Sequence, residues 1–222
     1  MKHIAIVGGT GALGSGLTAR WGRYGHHITI GSRDPAKAEQ HAEMLSRRWQ
    51  IANISGASNS TAAANAEVVC IAVPYSAHAA TLAELKNVVA GKLVIEATVP
   101  LLPPKVSVVQ LPAGGSLAAQ TQILLGDSTK VVSAFHNISA ELLQEPATDI
   151  DCDVMVFGND EAACAEVISL TYNLGLRGVS AGPIGNSVAA ETMTSILIGI
   201  NRRYRAHGAG IRFTGLSTSA SS

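Results

Sequence analysis

A strand, a glycine turn, a helix and a second strand within the first 33 residues constrain the fold most strongly. The short apolar segment 2–7 runs directly into the glycine-rich turn 8–14, and a helical stretch follows to about Tyr24. A second apolar segment, 27–30, ends in Gly31-Ser32-Arg33. In this setting the spacing G-x-G-x-x-G indicates the dinucleotide-binding unit of an α/β fold.

Each glycine of this spacing has a physical reason. Gly9 allows a tight turn off the strand, and Gly11 lets a pyrophosphate approach the backbone because it has no Cβ. Gly14 lets the helix pack close to the sheet. The free N–H groups and the positive dipole end of the helix then bind the phosphates. Because the chain has 22 glycines, a glycine turn without a ligand is the alternative.

The end of the second strand distinguishes NADP from NAD. An NAD site usually has an acidic residue here that binds the ribose hydroxyls, and Asp34 lies close to that position. However, Asp34 followed by Pro35 is typical of a helix start, with Asp34 as the N-cap. The strand end then presents Ser32 and Arg33 to a 2′-phosphate, and Lys37 adds positive charge. The sequence therefore predicts NADP; the alternative is that Arg33 and Lys37 are solvated surface charges.

Composition excludes several other classes. The chain has 222 residues, of which 47% are hydrophobic, enough for one large domain or one domain with a small appendage. Sixteen basic residues balance sixteen acidic ones, which favours neither nucleic acid nor a membrane surface as a partner. No apolar run reaches the length of a membrane helix, and no signal peptide is visible. The three cysteines are widely spaced (Cys70, Cys152 and Cys164), which predicts no disulfide framework, no metal site and a cytoplasmic location.

Alternating strands and helices along the rest of the chain predict a doubly wound, Rossmann-type, mostly parallel sheet. Further strands are predicted at 51–55, 67–73, 92–97, 130–135, 153–157 and 177–180. Further helices are predicted at 36–49, 76–85, 117–125, 161–174 and 187–205. Residues 101–115 are expected to form a surface loop. We expect an NADP-binding domain over 1–183 and a C-terminal helical segment over 184–222, with a disordered tail from about 217.

No familiar acid–base set accompanies the dinucleotide pattern. The four tyrosines lack the Tyr-x-x-x-Lys spacing of short-chain reductases, and no cluster has metal-ligand spacing. The polar candidates are His78 and His136; His136 follows a strand at the carboxyl edge, where such sheets bind ligands, and either histidine could instead be structural. Hydride transfer between two stacked rings needs no side-chain acid, because a flavin-type ring delocalises charge.

Several blocks carry a resemblance to a known family. They are Gly8–Gly14, Gly31–Arg33 with Lys37, Val73–Tyr75 with His78, Val131–Ile138, Ala181–Pro183 with Asn186 and Ser187, and Gly210–Phe213. With these blocks the chain resembles the NADPH:coenzyme F420 oxidoreductases over nearly its whole length. The resemblance implies hydride transfer between NADP(H) and a deazaflavin, and a cytoplasmic homodimer.

The resemblance also implies site residues. The NADP contacts would be Thr10, Gly11, Ala12, Leu13, Ser32, Arg33 and Lys37, with Gly9 and Gly14 of the glycine turn and His78 beside them. Positions near the nicotinamide half would be Val73, Pro74 and Ala140. The deazaflavin pocket, between the sheet and the C-terminal helix, would include Val99, Pro100, His136, Ile138 and Thr192, with His136 as the weak candidate for a catalytic residue.

Two other functions remain open from the residues alone. The same scaffold suits an NADP-dependent reductase of another small substrate, such as an imine or a carbonyl compound. It also suits a non-catalytic protein that binds NADP as a sensor.

Overall fold

The computed structural model describes residues 1–216, and the predicted tail from 217 lies outside the described residues. Eight strands form one sheet: His3–Val7 (β1), His27–Ser32 (β2), Ile54–Ser58 (β3), Val68–Ile71 (β4), Leu93–Glu96 (β5), Lys130–Ser133 (β6), Asp153–Gly158 (β7) and Arg177–Ser180 (β8). Their order is β3-β2-β1-β4-β5-β6-β7-β8. Every neighbouring pair is parallel except β6 and β7. The predicted Rossmann-type sheet is confirmed.

Eight α-helices connect and cover the strands. They are Ala12–Tyr24 (α1), Pro35–Trp49 (α2), Asn59–Asn65 (α3), Tyr75–Leu85 (α4), Leu117–Leu125 (α5), Ala140–Leu143 (α6), Glu161–Tyr172 (α7) and Val188–Tyr204 (α8). Side-chain caps explain several starts: Asp34, Ser58, Ser116, Ser139 and Asp160 each accept a hydrogen bond from a backbone N–H in the first turn. Among the described residues, no helix has the length and apolarity needed to cross a membrane.

The structure differs from the sequence-based expectation in two respects, each with a local cause. The third strand begins at Ile54 instead of Ile51, because α2 ends on Gln50 in a left-handed conformation and the chain must turn before Ile54 pairs with Ile28. The short helices α3 and α6 were not predicted, since each has fewer than eight residues and no room for a helical period. The 101–115 segment contains no helix or strand, as expected of a loop.

Buried side chains tie α1 to the second half of the chain. The rings of Trp21 and Phe135 meet edge to face with centroids 5.6 Å apart. The guanidinium of Arg20 is buried and donates to five carbonyl oxygens, among them those of Leu143 and Leu174 at 3.1 and 2.9 Å. Burial lowers the pKa of Arg20, and the five carbonyl acceptors compensate for its lost hydration. These contacts hold helix α1 of the dinucleotide-binding unit against the second half of the chain.

The C-terminal segment is held by two buried carboxylates. Glu191 of α8 accepts hydrogen bonds from the N–H groups of Leu117 and Ala118, at 2.8 and 3.1 Å, at the start of α5. Asp153 accepts from the Arg177 guanidinium and, at 2.7 Å, from the N–H of Phe213. As a result α8 and the extended residues after it lie against the sheet.

Candidate functional site

A cleft of about 650 Å³ runs along the carboxyl edge of the sheet, from the end of β2 to the loop after β5. This is the edge at which open α/β sheets bind ligands. Nine residues predicted from the sequence line it: Thr10, Gly11, Ala12, Leu13, Ser32, Arg33, Val73, Pro74 and Val99. The structure thus brings together most of the predicted NADP contacts with one of the predicted acceptor contacts.

The glycine turn is built by close contacts that exclude a Cβ. Gly8 has φ +79°, and a Cβ there would lie 2.7 Å from the carbonyl oxygen of Ala72. A Cβ on Gly14 would lie 2.5 Å from Cα of Gly9, so the helix start packs directly on the turn. The residue with a positive φ is therefore Gly8, one position before the G-x-G-x-x-G motif. The motif had predicted the tight turn at Gly9 instead.

Gly11 differs from its neighbours because it is open toward the cleft. Among the described residues other than its two chain neighbours, the one heavy atom within 4 Å of a Cβ added at this position is the carbonyl oxygen of Gly8, at 3.4 Å. Gly11 also forms the N-cap of α1 without a side-chain hydrogen bond. The first N–H groups of α1, on Ala12 and Leu13, have no intrahelical acceptor. Space, free donors and the helix dipole together form a site for a phosphate.

The end of β2 presents Arg33, a cation without an ion-pair partner among residues 1–216. Arg33 is exposed at the cleft wall, and within residues 1–216 it forms no ion pair. Asp34 is occupied as the N-cap of α2, accepting from the N–H of Lys37 at 3.3 Å, as predicted. Ser32 Oγ accepts from the N–H of Asp34 and also lines the cleft. Lys37 lies outside the cleft lining, with its side chain 75% exposed and 3.9 Å from Asp34.

Behind the far wall of the cleft lies a buried ionic network. Glu96, the last residue of β5, accepts hydrogen bonds from His78 Nε2 at 2.7 Å, from Thr121 Oγ1 at 2.8 Å and from the N–H of Thr98 at 2.9 Å. Burial raises the pKa of Glu96, but the hydrogen bond and charge of His78 and the hydrogen bond from the N–H of Thr98 outweigh burial and lower the pKa overall. His78 is thus 4% exposed and does not line the cleft.

A second, smaller cavity of about 330 Å³ lies between the loop after β6 and α8. His136, Ile138 and Ala140 line it, so the structure separates Ala140 from Val73 and Pro74, with which the sequence analysis had grouped it. His136 is 3% exposed, and its Nε2 atom has no hydrogen-bond partner in the described part of the chain. Burial lowers the pKa of His136, which favours the neutral ring.

Two predicted acceptor contacts line neither space. Pro100 is buried directly after Val99. Thr192 lies on α8 and donates to the carbonyl oxygen of Val188 at 2.8 Å. Both lie on segments that border the predicted acceptor side.

Several residues that line the cleft were not predicted from the sequence. Gly8, Asn59 and Thr98 line the cleft, as does the first part of the 101–115 loop through Leu102 and Val106. The side chains of Asn59 and Thr98 are each 2% exposed, and Asn59 Oδ1 and Thr98 Oγ1 lack hydrogen-bond partners among residues 1–216. Their positions could have indicated a place in the site, because both residues closely follow strands that end at the carboxyl edge of the sheet.

The cleft is equipped to bind and orient ligands. Within residues 1–216, no group of three or more His, Cys, Asp or Glu side chains is arranged to bind a metal ion. The polar groups that line the cleft include backbone N–H groups, hydroxyls, the carboxamide of Asn59 and the guanidinium of Arg33. Groups of this kind suit the binding of an anionic ligand.

Comparisons with known proteins identify relatives over the whole chain. Residues 3–100 match the family described as NADP oxidoreductase, coenzyme F420-dependent. The F420-dependent NADP reductase of Methanocaldococcus jannaschii is 39% identical over 221 residues, covering 96% of this chain and 98% of the relative. The enzyme of the same name from Methanothermobacter thermautotrophicus is 36% identical over 224 residues, covering 97% and 96%.

Solved structures agree on the fold. A crystal structure from Arthrobacter sp. FB24, of a protein assigned as an F420-dependent NADP reductase, superposes with a TM-score of 0.77 at 28% identity, covering 93% of this chain and 96% of that one. A pyrroline-5-carboxylate reductase from Coxiella burnetii superposes with a TM-score of 0.60 at 17% identity, covering 92% and 77%. The second likeness concerns the fold alone.

Proposed function

Because the chain belongs to the family of coenzyme F420-dependent NADP oxidoreductases, we propose that it transfers a hydride directly between NADP(H) and the deazaflavin coenzyme F420. Neither a metal nor a covalent intermediate takes part in the proposed reaction. When bound, the nicotinamide and deazaflavin rings supply the redox chemistry. The protein binds the two molecules, aligns them and excludes water.

The observation that carries this proposal is the arrangement along the cleft. An open glycine with free helix N–H groups is followed, at the next strand of the sheet, by an arginine without an ion-pair partner in the described chain. We assign the pyrophosphate to Gly11, Ala12 and Leu13, and the 2′-phosphate to Ser32 and Arg33. The nicotinamide then lies toward the other end of the cleft.

The acceptor side rests on different residues. Val99 lines the cleft, whereas His136 and Ile138 line the second cavity against α8. We propose that the deazaflavin ring lies between these residues, with the segment 184–216 closing the pocket over it and Thr192 on the side of α8 that borders it. The unpartnered Nε2 atom of His136 supports a ligand at this place, because a buried polar atom gains a hydrogen bond when one is supplied.

Absorbance tests the proposal directly. NADPH and oxidised F420 are mixed with the protein, and the visible deazaflavin band is followed over a range of pH. Bleaching of this band, matched by loss of NADPH absorbance, supports the proposed reaction. NADPH binding with no bleaching at any pH would contradict it, and a panel of imines and carbonyl compounds would then identify another acceptor.

We further propose a homodimer in a reducing compartment, the cytoplasm. Two large apolar side chains of α5, Ile123 and Leu124, are 80% and 49% exposed, which is typical of a surface that a partner covers. The three cysteines are all unpaired and buried, as expected where thiols stay reduced. Sedimentation velocity tests the dimer; a monomer at micromolar concentration would contradict it.

A further inference from the structure

The end of α8 carries positive charge that the described chain does not neutralise. The whole chain has equal numbers of acidic and basic residues. Of the ten arginines, Arg47, Arg48, Arg177 and Arg212 pair with carboxylates, and Arg20 donates to buried carbonyl groups. In contrast, the exposed Arg202 and Arg203 have no acidic side chain within ion-pair distance among residues 1–216.

These two arginines line a groove of about 800 Å³ between α8 and the loop after β5. On the loop side the groove is lined by Ser107, whose Oγ lies 3.4 Å from Nη1 of Arg202. We call this the α8 groove, defined by Ser107, Ile196, Ile200, Arg202 and Arg203. It combines an apolar floor with two guanidinium groups, which suits a flexible chain that bears anionic groups.

The same loop connects the α8 groove to the cofactor cleft. Leu101, Leu102 and Val106 line the cleft, and Ser107, the next residue, lines the groove. Along α8, Arg203 lies eleven positions after Thr192, which is on the proposed acceptor side. At 1.5 Å per residue this distance is about 16 Å. Eleven positions are also about three helical turns, so Thr192 and Arg203 share one face of α8, and a ligand whose ring lies beside Thr192 can extend a tail along this face to the arginines.

We propose that the α8 groove binds the anionic phospholactyl-glutamate tail of the deazaflavin substrate, with Arg202 and Arg203 as its phosphate and carboxylate contacts. Charge-assisted bonds from arginine to these groups are strong and geometrically specific. This inference rests on the proposed function. The competing explanation is that both arginines only complement the dipole at the end of their own helix.

Two substrates with the same ring separate the contribution of the tail to binding from that of the ring. Coenzyme F420 carries the phosphate and glutamates, whereas its riboflavin-like precursor Fo has the same deazaflavin and no anionic tail. Both are measured with the wild type, with Arg202→Gln/Arg203→Gln, and with Arg23→Gln as a matched loss of an exposed arginine on α1. The readouts are kcat, KM and, independently of turnover, the dissociation constant from quenching of deazaflavin fluorescence.

We expect the double variant to bind F420 about three- to thirtyfold more weakly and to bind Fo as the wild type does. Wild-type affinity for F420 should fall with ionic strength, and that for Fo should not. Equal affinities of wild type and double variant for F420 would overturn the proposal, as would equal weakening for both molecules. Because the comparison needs only that deazaflavins bind, a protein that reduces neither molecule would count against the proposed function instead.

Discussion

The Nε2 atom of His78 lies 2.7 Å from Oε2 of Glu96, and both side chains are almost completely shielded from solvent. They join the first turn of α4, which lines the cleft through Tyr75 and the preceding Pro74, to the end of β5, which is followed in the lining by Thr98. The pair therefore fixes two walls of the cleft relative to each other without touching its contents.

Replacing this carboxylate should weaken the fold. We expect Glu96→Gln to lower the free energy of unfolding by about 1.5–3 kcal/mol, since hydrogen bonds to a buried charged group are lost. Urea titration measures it. Thr121→Val, which removes one donor and keeps the charge, should cost roughly 1 kcal/mol. Equal losses in the two variants would show that the charge of Glu96 contributes nothing.

The same pair has a pH dependence of known sign. The pKa of Glu96 is lowered in the folded protein, so its contribution is present above the ordinary glutamate pKa of about 4.3 and is lost as the pH falls through the folded value. We expect the stability of Glu96→Gln to fall less steeply than that of the wild type on acidification below about pH 5. Parallel curves would contradict this assignment.

Arg33 should determine the binding preference for NADP(H) over NAD(H). We expect Arg33→Ala to weaken NADP(H) binding about ten- to a hundredfold and to leave NAD(H) binding nearly unchanged, because only NADP(H) has a 2′-phosphate. Lys37→Ala is the matched control, and its effect should be smaller because Lys37 lies outside the cleft lining. Calorimetric titration with both cofactors gives the constants; equal weakening of NAD(H) would remove the assigned role.

Two glycines of the turn should behave differently on substitution. Gly14→Ala forces a Cβ against the Gly9 backbone and should destabilise the fold by about 1–3 kcal/mol. Gly11→Ala meets open space, so its melting temperature should stay near that of the wild type, while NADP(H) affinity falls at least about tenfold because the Cβ occupies the phosphate site. Full NADP(H) affinity in Gly11→Ala would refute the phosphate assignment.

His136 is expected to act through binding. His136→Asn should raise the KM for F420 by up to about tenfold, the range of one neutral hydrogen bond, and change kcat at saturating F420 by less than about threefold. Steady-state kinetics at saturating NADPH separates the two. A fall in kcat above about a thousandfold would instead make His136 an acid–base catalyst, since such catalysis contributes roughly 100- to 10,000-fold.

The first third of the fold could be predicted closely because its signals are local. The glycine turn, the Asp34 cap and the Ser32-Arg33 strand end each depend on residues within one turn or strand end. The start of β3 could not be predicted in this way, because it is set by the pairing of Ile54 with Ile28 on the neighbouring strand β2. The role of Glu96 could not be predicted for a similar reason. Its partners His78 and Thr121 lie on two other elements, and the spacing of these residues in the sequence does not indicate that they meet.

The reversal between β6 and β7 has a consequence for how this scaffold can change. Because β7 runs antiparallel to β6, the 19 residues between these strands, 134–152, both leave and re-enter the sheet at its carboxyl edge. A parallel β7 would have required the chain to travel to the opposite edge. Changes at exposed positions of this connection can therefore remodel the acceptor side without altering the six parallel strands, whereas Phe135 and the carbonyl groups that accept from Arg20 must stay in place because they hold the connection against α1.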